Sequence, residues 1–297
     1  MTSVTKGIVL VIGSALIYGF TPILARITYD GGSNGVTMTF LRAVLALPIV
    51  GIILKCMNVP FSVTRRQVCD LMVSVGIGSG VTTILLYLSY AYIPVGMATT
   101  LHFIYPVVVS VACAVFFREK MSAAVLFALA ISIVGVVLTA DRTSAGGGST
   151  GMLLAVASGF TFAYYVIRLD KSDLRTMHFF KLSFYTCVTV GIVSGAYGLA
   201  TNTLSFDLTA EAWTYSWIVS LCTSVGAVTM LQQGIRMTGA TRASILSTFE
   251  PVTSVLLGAL ILQETLSLPK MIGGACIIAS VLVITMTASS RPCGEAP

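Results

Sequence analysis

The most unusual chemical group in this sequence is a glutamate inside a long apolar stretch, at Glu250-Pro251. No other charged residue lies as deep within such a stretch. A carboxylate in apolar surroundings is energetically expensive, so it indicates a functional site by default. Glu250 could pair with an ammonium group of a ligand, or it could take up and release a proton. The alternative is a carboxyl group that is hydrogen-bonded to a neighbouring helix and serves packing only.

Two prolines lie at matching places in separate apolar stretches, Pro106 and Pro251. Proline lacks an N–H group, so each one leaves a carbonyl group without its helical partner, that of His102 or of Ser247, and bends the helix. A freed carbonyl in apolar surroundings can contact a polar ligand or a neighbouring hydroxyl group. We predict that Pro106 and Pro251 are hinges; the alternative is a static kink that only aids packing.

Polar and aromatic side chains near the prolines form a candidate ligand site. Helical spacing places Thr99 and His102 on the same face as Pro106. Aromatic rings could stack on an aromatic ligand or hold a cation. Against this, a lone buried histidine is more often a satisfied core residue, and tyrosines at the ends of apolar stretches usually mark a membrane interface. The predicted ligand-binding residues are Tyr18, Tyr87, Thr99, His102, Tyr105, Gln232, Ser247 and Glu250.

The sequence contains the same unit twice. A shift of 145 residues equates His102 with Ser247 and Tyr105 with Glu250, and it superposes the two prolines. We predict a first unit over residues 1–144, a second unit over residues 145–290 and a disordered tail over residues 291–297. The pairs that carry this alignment are Ala98 with Ala243, Leu101 with Leu246, Pro106 with Pro251, and Glu119 with Glu264.

Other charges also occupy matching positions in the two units. Arg42 and Lys181 lie a short way inside their apolar stretches, where they could attract a carboxylate. The interpretation that we favour is structural, with both side chains reaching the lipid headgroups. Glu119 and Glu264 come at the ends of the proline-containing stretches, and we expect each of them to stabilise the connection that follows.

The composition places these groups in a membrane. Hydrophobic residues make up 56% of the 297 residues and charged residues only 9%, whereas a soluble domain carries about 25% charged residues. A span needs about 20 apolar residues. The seven cysteines contain no CxxC pair and suggest neither a metal site nor a disulfide framework. We predict an all-α membrane protein with ten spans, at residues 7–28, 36–54, 68–90, 93–117, 121–140, 151–169, 177–199, 213–235, 240–262 and 270–288.

Lysine and arginine set the expected orientation. With a cytoplasmic N-terminus, 13 of these 17 residues fall on the cytoplasmic side, as the positive-inside rule requires. Both termini are then cytoplasmic, and the net charge of +6 needs no nucleic-acid partner. Five spans per unit is an odd number, so the second unit enters the membrane from the opposite side. Inverted repeats of this kind are typical of secondary transporters.

Short motifs make the chain similar to the drug/metabolite transporter superfamily, in particular its ten-helix EamA-type carriers. The family usually has Trp-Gly where this chain has Tyr18-Gly19, and often Leu-Gly-Glu where it has Phe117-Arg118-Glu119. The resemblance implies transport of amino acids, other small metabolites or drugs, often outward. The motifs that carry it are Tyr18-Gly19-Phe20, Phe40-Leu41-Arg42, Tyr105-Pro106, Arg118-Glu119, Phe249-Glu250-Pro251, Leu262-Gln263-Glu264 and Gly273-Gly274.

Other classes of membrane protein fit less well. The sequence has no HExxH zinc motif, no GxSxG turn, no Walker loop and no selectivity-filter segment. We therefore predict a secondary carrier of the inner membrane, without a cofactor, that exports an amino acid or a similar small metabolite as a monomer or homodimer. Uptake or exchange of an organic cation or another small metabolite is the first alternative, and a membrane-embedded enzyme is a distant one. Coupling to protons through Glu250 stays open.

Overall fold

The computed structural model describes residues 3–89, 92–93, 95–139, 148–261 and 267–289, and within those ranges the chain forms helices and no strands. This confirms the all-helical prediction. The α-helices are α1 (Ser3–Asp30), α2 (Gly35–Val44), α3 (Ala46–Cys56), α4 (Arg65–Leu71), α5 (Thr82–Ser89), α6 (Val95–His102), α7 (Tyr105–Phe116), α8 (Ala123–Thr139), α9 (Ser149–Lys171), α10 (Phe179–Ala200), α11 (Ala210–Val219), α12 (Val228–Thr238), α13 (Ala240–Leu246), α14 (Phe249–Ile261) and α15 (Leu268–Ser289).

Eight helical segments among the described residues are long and apolar enough to cross a membrane. They correspond to eight of the ten predicted spans. The predicted fifth span appears as a shorter apolar helix, Ala123–Leu138. The predicted ninth span is divided into α13 and α14 by a turn at Ser247 and Thr248. The eight segments are Ser3–Thr21, Gly35–Cys56, Arg65–Ser89, Ala98–Phe116, Ser149–Lys171, Phe179–Ala200, Ala210–Thr238 and Leu268–Thr287.

The two halves exchange helices in the same manner. The first helix of the first half, α1, packs against α12 and α14 of the second half. Its counterpart, α9, packs against α5, α6 and α7 of the first half. Counterpart helices of the two halves also pack against each other, α2 against α10 and α8 against α15. The apolar core therefore runs through both halves, and each proline-containing segment lies against a helix of the other half.

Irregular backbone occurs at matching places. A π-helix connects α4 to α5 at Met72–Val81, and another connects α11 to α12 at Ser220–Ala227. Turns interrupt the helical path just before each proline, between α6 and α7 and between α13 and α14. Pro106 thus lies at the first turn of α7, where a missing N–H group costs no helical hydrogen bond. The predicted bends are short interruptions, and their role as hinges stays a prediction.

Two glycines let the helices approach these interruptions closely. A Cβ atom at Gly159 of α9 would lie 2.7 Å from the His102 carbonyl oxygen, and one at Gly19 of α1 would lie 2.8 Å from the Glu250 carbonyl oxygen. Real Cβ atoms do not come this near. Glycine at both positions therefore brings α9 and α1 into contact with the backbone near the two prolines.

Candidate functional site

The aromatic cluster is a group of rings from α6, α7, α9 and the turn between α6 and α7, namely His102, Phe103, Tyr105, Phe162 and Tyr165. The Tyr105 and Phe162 rings meet edge to face, with their centroids 4.8 Å apart. His102 lies 5.6 Å from Tyr105 and 5.4 Å from Phe162, and Phe162 lies 5.9 Å from Tyr165. Such contacts stabilise aromatic pairs beyond the burial of their area. The interruption at Phe103 is what lets rings from α6 and α7 face α9 together.

His102 already has a protein partner. Its Nδ1 atom lies 2.9 Å from the hydroxyl oxygen of Ser158 on α9. That hydroxyl group also donates to the Ala155 carbonyl at 2.6 Å, so Ser158 connects the His102 ring to the α9 backbone. The residue as a whole is 9% exposed. His102 thus joins the proline-containing segment of the first half to the first helix of the second half. This arrangement corresponds to the alternative of a hydrogen-bonded core histidine and not to that of a ligand-binding one.

Glu250 differs from His102 because its carboxylate has no hydrogen bond or ion pair with any residue in the described ranges. It remains partly exposed. It interacts electrostatically with the phenol groups of Tyr18 on α1 and Tyr105 on α7. The α1 and α14 backbones are held together beside it, since Ser254 donates to the Gly19 carbonyl at 2.9 Å. The carboxylate therefore lies where segments of both halves meet.

Arg42 is a further residue near the candidate site, and the sequence left its role open between reaching the headgroups and attracting a carboxylate. Its guanidinium acts electrostatically on the Tyr18 and Tyr165 phenol groups, so it lies by the interior tyrosines. In the part of the chain that the structure describes, it forms no ion pair. Lys181, its counterpart, instead donates to the Ser62 carbonyl. The sequence places Arg42 a short way inside its span, but it does not predict an interaction with Tyr18.

Gln232 is buried and fully occupied by protein partners. Its Nε2 atom donates to the Tyr165 hydroxyl and to Thr186 Oγ1, both at 3.0 Å. Its Oε1 atom accepts from Ser183 at 3.1 Å. With 0% exposure, the side chain links α9, α10 and α12 and orients Tyr165. Gln232 is thus connected to the aromatic cluster, and its amide is not accessible to a ligand.

The three other predicted residues, Ser247, Thr99 and Tyr87, have different surroundings. Ser247 lies near the Tyr105 phenol, with which it interacts, while donating to the Ala243 carbonyl at 2.9 Å. Thr99 is half-buried on α6, one turn before the aromatic cluster. The Tyr87 ring packs on Gly35 at the start of α2, where a Cβ atom would come within 2.6 Å of it. We define the candidate site as Tyr18, Arg42, Tyr105, Phe162, Tyr165, Ser247 and Glu250.

A second polar group, the ionic cluster, joins the halves at one end of the bundle. Lys171 Nζ lies 2.5 Å from Glu119 Oε1 and 3.2 Å from Asp170 Oδ2. Glu119 also accepts from the Thr241 hydroxyl group at 3.2 Å, and Asp170 accepts from the Ala240 N–H at 3.3 Å. The end of α7 is thereby tied to α9 and to the start of α13. Glu264, the predicted counterpart of Glu119, lies outside the described residues.

Hydrogen bonds also join the halves at the opposite end of the bundle. The Asn34 side chain caps α2 and donates to the Thr203 carbonyl at 2.6 Å. The Thr209 N–H donates to the Gly31 carbonyl at 3.1 Å. These neutral bonds join the connection before α2 to the connection before α11. The two ends therefore differ in chemistry, with charges at one end and backbone and amide bonds at the other.

Eight membrane-length helices, two related halves and a polar site between them are the features of a multi-pass membrane transporter. The sequence profile of the EamA-like transporter family matches this chain twice, over residues 5–140 and 149–286. The chain belongs to this family, and thus to the drug/metabolite transporter superfamily, and its halves are two copies of the family unit.

Similar proteins agree with that assignment. An uncharacterized transporter of Synechocystis sp. is 23% identical over 97% of this chain and 96% of its own length. The uncharacterized inner membrane transporter YicL of Salmonella typhimurium is 25% identical over 98% of this chain and 99% of its own length. A crystal structure with 16% identity superposes with a TM-score of 0.79, covering 96% of this chain and 98% of that one, which shows a shared fold.

Proposed function

We propose that this transporter is a secondary carrier with ten spans that works by alternating access. In this proposal α8 and the interrupted pair α13–α14 complete the eight longer segments, and the two halves have opposite orientations in the membrane. The exchanged packing of α1 and α9 supports this, as do the matching π-helices and interruptions. Two near-equivalent halves can hold inward-open and outward-open states at similar energies. Both termini then lie in the cytoplasm, and residues 1–144 and 145–290 form the two halves.

The observation that carries the proposed site is the Glu250 carboxylate, which lies between the halves without an ion pair among the described residues. A charge removed from water costs several kcal/mol unless an opposite charge compensates it. A substrate ammonium group would supply that compensation. The Tyr18 and Tyr105 rings beside it add the electron-rich surfaces that favour a bound cation.

Arg42 extends this reasoning to the other end of the substrate. Tyr18 interacts electrostatically with both Arg42 and Glu250, so two opposite charges, unpaired within the described ranges, lie within reach of the same phenol group. A small zwitterion, with its carboxylate towards Arg42 and its ammonium group towards Glu250, would neutralise both. The aromatic cluster offers an apolar surface for the remainder. The substrate class that we infer is an amino acid or a derivative, and export is the direction that we favour.

Uptake or exchange of an organic cation is the second candidate. A carboxylate between two tyrosines suits a cation without any carboxylate of its own, and Arg42 would then serve structure alone. The two candidates differ in one requirement, because only the first needs a negatively charged group on the substrate.

Flux into proteoliposomes tests the proposal. Labelled amino acids would be compared with their decarboxylated amines and with their deaminated acids, with and without a pH gradient. We expect saturable flux of the zwitterion, and weaker flux of both analogues. Arg42→Gln should lower flux of the zwitterion but not that of the amine. Preferred flux of the amine by the unchanged protein would favour the cation carrier, and no flux of any solute would contradict the carrier itself.

A further inference from the structure

A separate cavity of about 440 Å³ lies near one end of the bundle, outside the candidate site. It is formed where the connection between α9 and α10 approaches the end of α12. A 3₁₀ turn at Asp173–Thr176 supplies part of its wall. The residues that line it are Arg175, Thr176, Phe179, Gln233, Arg236 and Met237.

The two arginines give this cavity an excess of positive charge. Arg236 donates one hydrogen bond, to the Met177 carbonyl at 2.7 Å, and forms no ion pair within the described ranges. A guanidinium has five N–H donors, so most of those of Arg236 are left for a ligand. Arg175 donates to the Arg236 carbonyl at 3.3 Å, and its only carboxylate neighbour in the described chain, Asp170, is 3.8 Å away.

Nearby acids are engaged elsewhere. Asp170 is 3% exposed and accepts from the Ala240 N–H while pairing with Lys171 at 3.2 Å. Asp173 pairs with Arg66 at 3.1 Å. The positive charges of Arg175 and Arg236 thus lie close together, and the nearby carboxylates do not fully neutralise them. That arrangement is unfavourable unless an anion from outside the chain compensates it.

The rest of the wall combines a further donor with apolar surface. Gln233 contributes an amide that makes no hydrogen bond with the described residues. Phe179 and Met237 provide the apolar part, and Phe179 is held in place by stacking on His178, with ring centroids 4.4 Å apart. A ligand that fits this wall has an anionic head with several oxygen acceptors and an apolar portion.

We propose that this cavity binds the phosphate group of an anionic phospholipid. Guanidinium groups suit phosphate because they can donate two parallel hydrogen bonds to it. Basic pockets between membrane helices on the cytoplasmic side are suited to anionic lipid headgroups, and the cavity lies at the end of the bundle that we predict to be cytoplasmic. Phe179 and Met237 would contact the glycerol and the first methylene groups. A free phosphate ion would satisfy the arginines alone, and the test separates the two sources.

The test measures thermal unfolding of the full-length protein in a neutral detergent, as phosphatidylglycerol, phosphatidylcholine or inorganic phosphate is added. We expect phosphatidylglycerol to raise the Tm in a saturable manner, and the other two additions to leave it unchanged. The double variant Arg175→Gln/Arg236→Gln should lose that shift. Arg65→Gln, which changes an exposed cytoplasmic-side charge outside the cavity, should keep it. A shift of equal size in the double variant would overturn the proposal, and so would an equal shift with inorganic phosphate.

A conservative variant keeps the test decisive if the double variant unfolds. Arg236→Lys retains the charge and a donor for the Met177 carbonyl, but it loses the paired geometry of the guanidinium. We expect a folded protein in which more phosphatidylglycerol is needed to reach the half-maximal Tm shift. An unchanged lipid dependence in Arg236→Lys, together with an unchanged one in Phe179→Ala, would show that the lipid acts elsewhere.

Discussion

Single residues of similar polarity have very different surroundings in this protein. Gln232 and His102 are buried and hydrogen-bonded, so they orient Tyr165 and connect helices. Glu250 has no such bond among the described residues, although it lies in an equally apolar region. Buried polar groups are normally hydrogen-bonded, whereas the Glu250 side chain is only partly buried. The contrast separates side chains that build the site from the one that is left for a ligand.

Replacement of Gln232 by leucine should destabilise the protein. The change removes the amide donor of the Tyr165 and Thr186 hydroxyl groups, and it removes one of two partners of Ser183, which keeps Thr229 at 2.7 Å. Each buried polar group left unsatisfied costs about 1–3 kcal/mol. Thermal or denaturant unfolding in detergent measures the loss. Gln233→Leu is the matched control, since the adjacent amide makes no hydrogen bond within the described chain. Equal stability of the two variants would show that the buried network contributes nothing.

His178 should make stability depend on pH. It lies between α9 and α10, where burial, and then the charge of Arg236, lower its pKa below the ordinary value; its Nδ1 atom has no hydrogen-bond partner among the described residues. The folded protein then binds fewer protons than the unfolded chain, so stability is lost as pH falls below about 6.5. Unfolding temperatures between pH 7 and pH 5 should fall more steeply in the wild type than in His178→Gln. Parallel curves would contradict this.

At the scale of elements, close packing is concentrated where the helices are interrupted. The first helix of each half, α1 or α9, contacts the backbone beside a proline of the other half, and a glycine makes that contact possible. This links the Tyr18-Gly19 motif to a packing requirement. The site is therefore built by contacts between halves, and a change in the crossing of α1 or α9 should alter the site.

Gly159→Ala tests that packing. The new Cβ atom would lie 2.7 Å from both the His102 carbonyl oxygen and Ile104 Cγ2, so α9 must shift. Overpacking of this kind costs about 1–3 kcal/mol. Gly148→Ala is the matched control, since nothing lies within 4 Å of its new Cβ atom. We expect a lower unfolding temperature for Gly159→Ala alone; an unchanged one would show that α9 and the interrupted helix are not closely packed.

The sequence alone could predict the part of this arrangement that depends on patterns along the chain, but not the part that depends on contacts between distant helices. Apolar length and the Pro106–Pro251 alignment predict membrane helices and a repeat. The depth of Glu250 identified the central carboxylate. The partners of Gln232 and the position of Arg42 beside Tyr18 could not be predicted, since they depend on which helices pack together across the halves. Phe162 was missed, because an apolar aromatic in a membrane helix carries no distinguishing signal.

At the scale of the whole molecule, the halves are joined differently at the two ends. The ionic cluster joins Glu119 to Lys171 and Thr241, whereas neutral bonds join Asn34 to Thr203. Under alternating access, opening at the charged end requires that the ionic cluster separate. We therefore expect its bonds to affect the balance between the two states of the proposed cycle.

Glu119→Gln should shift that balance towards opening at the charged end. Loss of one ionic partner weakens the tie between the end of α7 and α9, while Thr241 keeps an acceptor. The measurement uses Ser244→Cys in a background from which the reactive native cysteines have been removed. In this background, the cysteine should react faster with a thiol reagent added on the cytoplasmic side when Glu119 is replaced than when it is kept. Asp173→Asn, which breaks the exposed pair with Arg66 on the same face, should not change the rate, because exposed pairs contribute little. Equal rates in all proteins would contradict a gating role.

Flux of a zwitterionic substrate through Glu250→Gln tests the central claim most directly. The variant keeps the size of the side chain and removes its charge, and Glu211→Gln makes the same change at an exposed site near the start of α11. Loss of one charge-assisted contact corresponds to about 1.5–3 kcal/mol, or roughly a tenfold to hundredfold loss of flux at low substrate concentration. We expect that loss in Glu250→Gln, with normal flux in Glu211→Gln. Equal flux in both variants would contradict the assignment of Glu250 as the substrate's partner.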